Sequence, residues 1–411
     1  MHTTRRQMRS WFVRRPGTKS FDKICKLHFW RRSFAADCGP SRLDSTSQTC
    51  AAPWTGGARL LDGRLHSTLW KSEVAQNIAR RRGKLLEPPG LAAVVIGNRP
   101  DSLLYVRRKG EACEEAGMRF FHEHLPGDVK PGDVKQVLRR LNADEKVHGI
   151  LLQFPIPQHL SESHLLECID PWKDVDGLHP SNVGRLSTRG IWRPAFMPCA
   201  PLGCMELLWR EKILIRKRSV AIVGDSNVVG MPMSWLFRDA GASSVTLLHS
   251  RGIEFLKKMA KKDSSTSVSA TDLATREQLL KPVREADIII AAVGCAELIR
   301  SDWVKPGATV VDIGINAVPL SDAGHDEGGA GEATCVGGLR QAVQIADEKK
   351  NGQPVYSLPG MANFKVVGDV AAEEVSHVAG AMSSVPGGAG PMTIAALLSN
   401  TYLGALRQSR M

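Results

Sequence analysis

Ser219-Val-Ala-Ile-Val223-Gly224-Asp225-Ser226-Asn-Val-Val-Gly230-Met-Pro232 reads as an apolar strand, a turn bounded by glycines and the opening of a helix. Strand, glycine turn and helix in that order set backbone N–H groups and a helix N-terminus where a phosphate can meet them, so the stretch marks a mononucleotide-binding unit. Its spacing is GxxxxxG and not the common GxGxxG, which leaves the decision to its neighbours. Residues 244–248 form a second apolar strand that ends in His249-Ser250-Arg251. The residue at that strand end meets the adenosine ribose: an acid favours the free 2′-hydroxyl, whereas a hydroxyl with an arginine favours a 2′-phosphate. Ser250 and Arg251 point to NADP, and Asp225 in the glycine turn points to NAD. Two more strands, at 286–294 and 308–316, finish in glycines that let the backbone approach a cofactor. Together they predict a Rossmann-type dinucleotide-binding domain over 199–390.

Toward the N-terminus, Phe196-Met-Pro198-Cys-Ala-Pro201 reads as a stiff linker at a domain boundary. Ahead of it strands and helices alternate again. A turn at 61–63 leads into a helix through Leu65, Leu69, Trp70, Val74 and Ile78, stopped by Gly83. Then come a strand at 91–96, a helix capped by Asp101 or Ser102, a strand at 119–124, a helix over 133–142 and a strand at 149–153. Such alternation predicts a parallel sheet. The chain is therefore α/β with two domains: an N-terminal parallel-sheet catalytic domain over 59–198 and the dinucleotide-binding domain after it. Two stretches break the pattern and read as surface insertions. One is 254–285, Lys-rich and then Ser/Thr-rich; the other is 321–364, with six glycines from Gly324 to Gly338 and a short helical piece near 339–350.

The formal charge of +12 is unevenly spread. Residues 1–58 hold eleven Lys/Arg against three Asp/Glu, and the other 353 residues carry only +4, too little for a nucleic-acid footprint. Arg5, Arg6, Arg9, Arg14 and Arg15 precede the first acid, Asp22, and are interleaved with Ser, Thr and bulky apolar residues. That is the character of a mitochondrial transit peptide, with Arg32-Ser-Phe34-Ala35 as its processing site; a basic tail on a cytoplasmic protein is the alternative. No run of eighteen apolar residues occurs, which argues against a membrane-spanning helix. Nine cysteines at irregular spacing, none in a CxxC pair, point to reduced thiols. His122-Glu-His124 alternates as a polar strand face does, so no metal site is expected.

The candidate chemistry lies in the first half. In Ser102-Leu-Leu-Tyr105-Val-Arg-Arg-Lys109 an aromatic ring and an ammonium fall one helical turn apart, on one face. The strand at 149–153 ends in Gln153-Phe154-Pro155, where open parallel sheets hold their ligands, and a glutamine there can accept from an ammonium. Asp174 and Asp176 are two apart, on one face of an extended segment, and one carboxylate can accept the adjacent amino and ring N–H groups of a pterin-like ring. Near the C-terminus, Pro386-Gly387-Gly388-Ala-Gly390-Pro391 precedes an amphipathic helix and offers N–H groups to an anion or carbonyl.

SxxYVxxKxxAC, GILLQFPIP, DVDGLHPxNxG, PCAPxGC, GDSNVVGMP, KPGATVVDIGIN, VVGDV and SVPGGAGPMT occur in this order over residues 60–411. The set closely resembles the bifunctional methylenetetrahydrofolate dehydrogenase/methenyltetrahydrofolate cyclohydrolase family. The resemblance implies two α/β domains with the active-site cleft between them, a final helix at 391–411 returning to the first domain, and a homodimer. It implies oxidation of 5,10-methylenetetrahydrofolate with NADP or NAD, then hydrolysis of the methenyl form to 10-formyltetrahydrofolate. Lys109 would be the general acid/base, Gln153 its orienter, Tyr105 the support of the folate ring and Asp176 the pterin anchor. Leu152, Phe154, Pro386, Gly387, Gly388 and Gly390 would complete the folate pocket, and Gly224, Asp225, Ser226, Ser250, Arg251 and Ile315 would contact the dinucleotide. Asp225 stands where many members carry an arginine that pairs with the 2′-phosphate, so this chain departs from the family pattern at the cofactor-selecting position. The rival readings are another two-domain nicotinamide dehydrogenase, which leaves Tyr105, Lys109, Gln153 and Asp176 unexplained, and a folate- or RNA-binding protein without turnover.

Overall fold

The computed structural model describes residues 57–81, 83, 85, 87–188, 194–260, 269–319, 348–350, 353–355 and 364–409. The arginine-rich leader up to residue 56, the Ser/Thr-rich run at 261–268 and the glycine-rich run at 321–347 lie outside them.

The described chain opens with β1 (Arg59–Leu61) and α1 (Gly63–Arg80), joined by Asp62, whose carboxylate accepts from Leu65 N at 2.9 Å and caps the helix. β2 (Gly90–Ile96), α2 (Pro100–Glu115), β3 (Arg119–Leu125), α3 (Pro131–Ala143) and β4 (Gly149–Leu152) then alternate. The three strands β3-β2-β4 form a parallel sheet. In α3, Val134, Leu138 and Leu141 recur at helical spacing and are buried in one cluster with Ala92, Val94, Ile150 and Leu152 of the sheet. Two details differ from expectation. α2 begins at Pro100 with Arg99 as its cap, because proline suits the first helical position, and Asp101 and Ser102 fall inside the first turn. α1 buries Trp70, Val74 and Ile78 with Gly63 and Ser67, which turns Leu65 and Leu69 toward solvent.

α4 (Glu162–Leu166), α5 (Pro180–Ser187) and α6 (Cys199–Arg210) lead to the second half. There β5 (Ser219–Val223), α7 (Gly230–Asp239), β6 (Ser244–Leu248), α8 (Ser250–Ala260), α9 (Ala270–Arg284), β7 (Ile288–Ala291) and β8 (Thr309–Asp312) follow in order. β9 (Asn316–Pro319), β10 (Glu348–Lys350), β11 (Gln353–Val355), β12 (Phe364–Val367), α10 (Ala372–Ser376), β13 (Ala381–Ser383) and α11 (Ala389–Gln408) complete the chain. Six parallel strands make one sheet in the order β1-β13-β8-β7-β5-β6. Sequence order reverses at β5, flanked by β6 and β7, and the crevice beyond the carboxyl ends of strands at such a switch point is where α/β sheets bind ligands.

The expected segmentation needs correction in three places. β1, assigned to the first domain, joins the second sheet through β13, with Arg59 opposite Ala381. The stretch 254–285 is not a surface insertion where it is described. It holds most of α8 and all of α9, and Leu256, Leu280 and Val283 are buried in the second sheet's core with Ile289 and Val310. Its Ser/Thr-rich composition concealed a helix start, since Ser269 caps α9 by accepting from Asp272 N. Near 339–350, the described residues Glu348–Lys350 are strand, paired antiparallel with β11. α6 packs against α11 and α1 and also touches α7, so the boundary at 198/199 precedes a helix shared by both halves.

His148 ties this framework together and sets one pH dependence. Its buried Nδ1 accepts from Gly90 N at 3.0 Å, and burial, helped by the Lys173 charge, holds it down at about 4. An unfolded histidine titrates near 6.5 and binds a proton that the folded one refuses, so the contribution is full above that value and is lost as pH falls toward 4. Urea titrations of the wild type should show this acid-side loss, and His148→Gln should shrink it by on the order of 2 kcal/mol; equal pH slopes in the two proteins would contradict the assignment.

Candidate active site

α2 carries Tyr105 and Lys109 on one face, both 4 % exposed. The Lys109 ammonium lies 4.3 Å from the centroid of the Tyr105 ring and donates to Gln153 Oε1 at 3.0 Å. Gln153 stands just past β4, its backbone N bonded to Val94 O and its Nε2 donating to Phe154 O at 2.7 Å, so its oxygen is aimed at the lysine. Burial lowers the Lys109 pKa, and the charge of Asp176 opposes the shift. Burial, reinforced by Asp176, drives the Tyr105 phenol well above its ordinary value, so it stays protonated. The result is a desolvated amine that can exchange a proton nearer neutrality than a free lysine, held by a glutamine and an aromatic face.

The two aspartates of Asp174-Val-Asp176 do not share a face. A tight turn at 171–177 separates them. Asp174 is buried and accepts from Leu178 N, His179 N (2.8 Å) and Asn182 Nδ2 (2.8 Å), and burial still pushes it up to about 7. Its role is to staple the turn. Asp176 remains half-buried, with its charge acting on Tyr105, Lys109 and the buried Cys199 thiol. The peptide before it is fixed by residues that the sequence reading missed: Asn400 Nδ2 on α11 donates to Val175 O at 2.8 Å and Met197 O at 3.0 Å, and the Cys199 thiol donates to Val175 O at 3.2 Å.

Two expected substrate contacts fall elsewhere. Leu152 is buried in the core cluster beneath α3, and Phe154 packs against the same cluster. Period-two alternation along β4 explains it: Ile150 and Leu152 face one side of the sheet, so Gln153 is delivered to the other. Gln153 is the residue that reaches the site.

In front of Tyr105 a cleft of about 300 Å³ is walled by Arg64 and Lys71 of α1, by Ile315, and by the run Pro386-Gly387-Gly388. Gly390 also lines it. That volume sits at the lower end for small-molecule pockets. Lys109, Gln153 and Asp176 lie behind the tyrosine and are not on this wall.

Gly224, Asp225, Ser226, Ser250 and Arg251 of the expected dinucleotide set gather at the carboxyl ends of β5 and β6, whereas Ile315, beyond β8, lines the cleft. Gly224 has φ +117, and a Cβ there would run into Ala292 O at the end of β7, so the turn lies flush against its neighbour and a non-glycine residue is barred. Ser226 Oγ accepts from Val229 N at 3.2 Å, tightening the six-residue turn. Asp225 Oδ1 accepts from Ser250 N at 3.2 Å, so its carboxylate takes up the N–H that opens α8. Arg251 is exposed at the rim. Glycine turn and switch-point crevice fit a dinucleotide; Gly224, Asp225, Ser226 and Ser250 would hold it.

A six-stranded Rossmann-type sheet beside a cleft backed by a buried lysine defines a two-domain NAD(P)-dependent enzyme. Residues 61–176 match the tetrahydrofolate dehydrogenase/cyclohydrolase catalytic domain, and residues 198–264 and 255–409 match the NAD(P)-binding domain of the same group. The chain belongs to the tetrahydrofolate dehydrogenase/cyclohydrolase family. It is 39 % identical over 350 residues to the bifunctional protein FolD 2 of Arabidopsis thaliana, covering 85 % of this chain and 96 % of that one. The crystal structure of bifunctional FolD from Campylobacter jejuni superposes with a TM-score of 0.64 at 34 % identity, covering 86 % of this chain and 100 % of that one. The Trypanosoma brucei enzyme, complexed with NADP and an inhibitor, gives a TM-score of 0.67 at 29 % identity, covering 86 % and 99 %.

Proposed function

We propose that the protein oxidises 5,10-methylenetetrahydrofolate to the 5,10-methenyl form with NAD or NADP and hydrolyses that form to 10-formyltetrahydrofolate. The observation that carries the reading is the buried Lys109 ammonium, 3.0 Å from Gln153 Oε1 and set over the Tyr105 ring behind a cleft that the dinucleotide half also walls. The bound dinucleotide supplies the hydride acceptor. The chain's task in that step is alignment: Tyr105 supports the folate ring, Asp176 anchors its donor edge, and the glycine run at 386–390 closes over it. Ring opening needs proton transfer. Water adds to the methenyl carbon, the neutral Lys109 amine takes one of its protons and returns it to the departing ring nitrogen, and the remaining hydroxyl proton leaves to solvent as the formyl carbonyl forms, while Gln153 fixes the direction of the lysine.

Asp225 supports a preference for NAD. Its carboxylate, bonded to Ser250 N, suits two ribose hydroxyls and repels a 2′-phosphate, with Arg251 at the rim as the opposing influence. Initial rates with 5,10-methylenetetrahydrofolate and each dinucleotide, followed by the rise and decay of the methenyl absorbance, test both reactions and the preference in one assay. Absence of methenyl formation with either cofactor would defeat the reading.

The same proposal takes the protein to be a mitochondrial homodimer. The acid-free, arginine-rich start of the sequence supports the location and the family resemblance supports the dimer. Residues 1–58 fused to a fluorescent protein should enter mitochondria, and diffuse cytoplasmic signal would point to the alternative; sedimentation equilibrium measures the assembly. No helix among the described residues is long and apolar enough to cross a membrane.

A further inference from the structure

Asp369 follows β12 and is fully buried, yet it is not part of the cleft wall or of the proton-transfer set. Its two oxygens accept four hydrogen bonds. Oδ2 receives Val293 N at 2.6 Å and Gly294 N at 2.9 Å; Oδ1 receives Cys295 N at 2.9 Å and Asn316 Nδ2 at 2.9 Å. The three consecutive backbone donors form the loop that leaves the carboxyl end of β7. That loop leaves β7 beside the switch-point crevice, and its root, Ala292, is the residue on which Gly224 of the glycine turn rests.

A second buried carboxylate holds Asp369 itself in place. Asp312, at the end of β8, accepts from Asp369 N at 3.1 Å, Val370 N at 2.9 Å and Gly314 N at 2.8 Å. Gly314 and Gly368 leave room for the pair: a Cβ on Gly314 would run into the Asp369 carboxylate, and one on Gly368 into that of Asp312. Burial and the neighbouring Asp369 charge raise Asp312 well above the usual carboxylate range. Four donors meet the Asp369 carboxylate, an arrangement that suits an anionic acceptor.

We infer that Asp369 is a positioning residue for the dinucleotide, acting by holding the Val293-Gly294-Cys295 loop and Asn316 in one arrangement against the crevice. This rests on the proposed dehydrogenase reading, and it assigns to Asp369 no contact with substrate or cofactor. Without the carboxylate, three adjacent N–H groups lose their acceptor and the loop is free to turn away. Cyclohydrolase turnover runs on the other side of the cleft and uses no dinucleotide. The two activities of one protein thus separate a positioning role from a general loss of structure.

The test uses full-length Asp369→Asn, which puts an NH₂ against donors where an oxygen stood. The dissociation constant for NADH, read from its fluorescence, and the KM for the oxidised dinucleotide should each rise at least tenfold. Dehydrogenase kcat at saturating dinucleotide should fall by no more than about threefold, and the dehydrogenase-to-cyclohydrolase ratio should drop only at low dinucleotide. Unchanged NADH affinity in a folded variant, or parallel loss of both activities, overturns the inference. If Asp369→Asn does not fold, Asn316→Ala removes one donor and keeps the other three; a two- to threefold rise in KM with the same split supports the inference, and no change overturns it. Wild-type protein that fails to bind NADH overturns the dehydrogenase reading instead, a result distinct from either variant's.

Discussion

Lys109→Met should abolish cyclohydrolase turnover and leave measurable oxidation of 5,10-methylenetetrahydrofolate. Methionine keeps the length and apolar stem of the lysine, so α2 and the Tyr105 ring retain their packing and only the ionisable group is lost. General acid–base catalysis contributes about 10²- to 10⁴-fold, and after subtraction of the uncatalysed rate the ring-opening step should fall by that much. Hydride transfer depends on alignment and should fall far less. The pH profile carries a sign that can be checked. Burial lowers Lys109 and Asp176 opposes that, so the cyclohydrolase rate should rise with pH through a midpoint below the ordinary lysine value of 10.5. Removing the opposing charge in Asp176→Asn should move the midpoint further down while weakening folate binding. Persistence of cyclohydrolase activity in Lys109→Met would remove the lysine from the mechanism.

Asp225→Arg should move the ratio of kcat/KM values for NADP over NAD upward by about a hundredfold. Two effects add. The substitution removes a carboxylate that meets Ser250 N at 3.2 Å and would face a 2′-phosphate, and it supplies a guanidinium able to pair with that phosphate. A charge-assisted hydrogen bond is worth about 1.5–3 kcal/mol, and each 1.4 kcal/mol is a factor of ten. The measurement is initial rate against concentration for both dinucleotides in both proteins. An unmoved ratio would show that Arg251 or another group sets the preference, and that Asp225 serves only to tie β5 to α8.

The parts legible in the sequence are those set by local periodicity. Apolar runs closed by glycine marked β2, β5 and β7, an apolar run opened by glycine marked β4, and the four-residue spacing of Tyr105 and Lys109 put both on one face of α2. Gln153 was legible because strand ends in parallel sheets carry ligands; Asp176 was singled out by its spacing to Asp174 and by the family resemblance, and the face expected for the two is replaced by a turn. The misreadings have physical causes. Leu152 neighbours the site in sequence, but strand alternation sends it into the core. α9 hides behind a Ser/Thr-rich lead because the same residues that fill loops also cap helices. Asp369 stood in the VVGDV motif without a role of its own, and Asn400 gave no local signal. Asp369 meets donors 53 to 76 residues away, and Asn400 reaches carbonyls 203 and 225 residues back, separations at which pattern along the chain carries no information.

The return of α11 has a consequence for how the protein is made. The segment that steadies the turn carrying Asp176, through Asn400 to Val175 and Met197 and through Arg407 to Ala195, lies within the last dozen residues of the described chain. On a ribosome, the first sheet emerges long before its closing helix, and all of the second sheet except β1 is synthesised in between. A nascent chain can therefore assemble its dinucleotide half while the folate half waits for a helix not yet made. A premature stop ahead of Asn400 should spare much of the second sheet and cost both reactions, which makes the first half of the chain wait on a helix synthesised more than two hundred residues later.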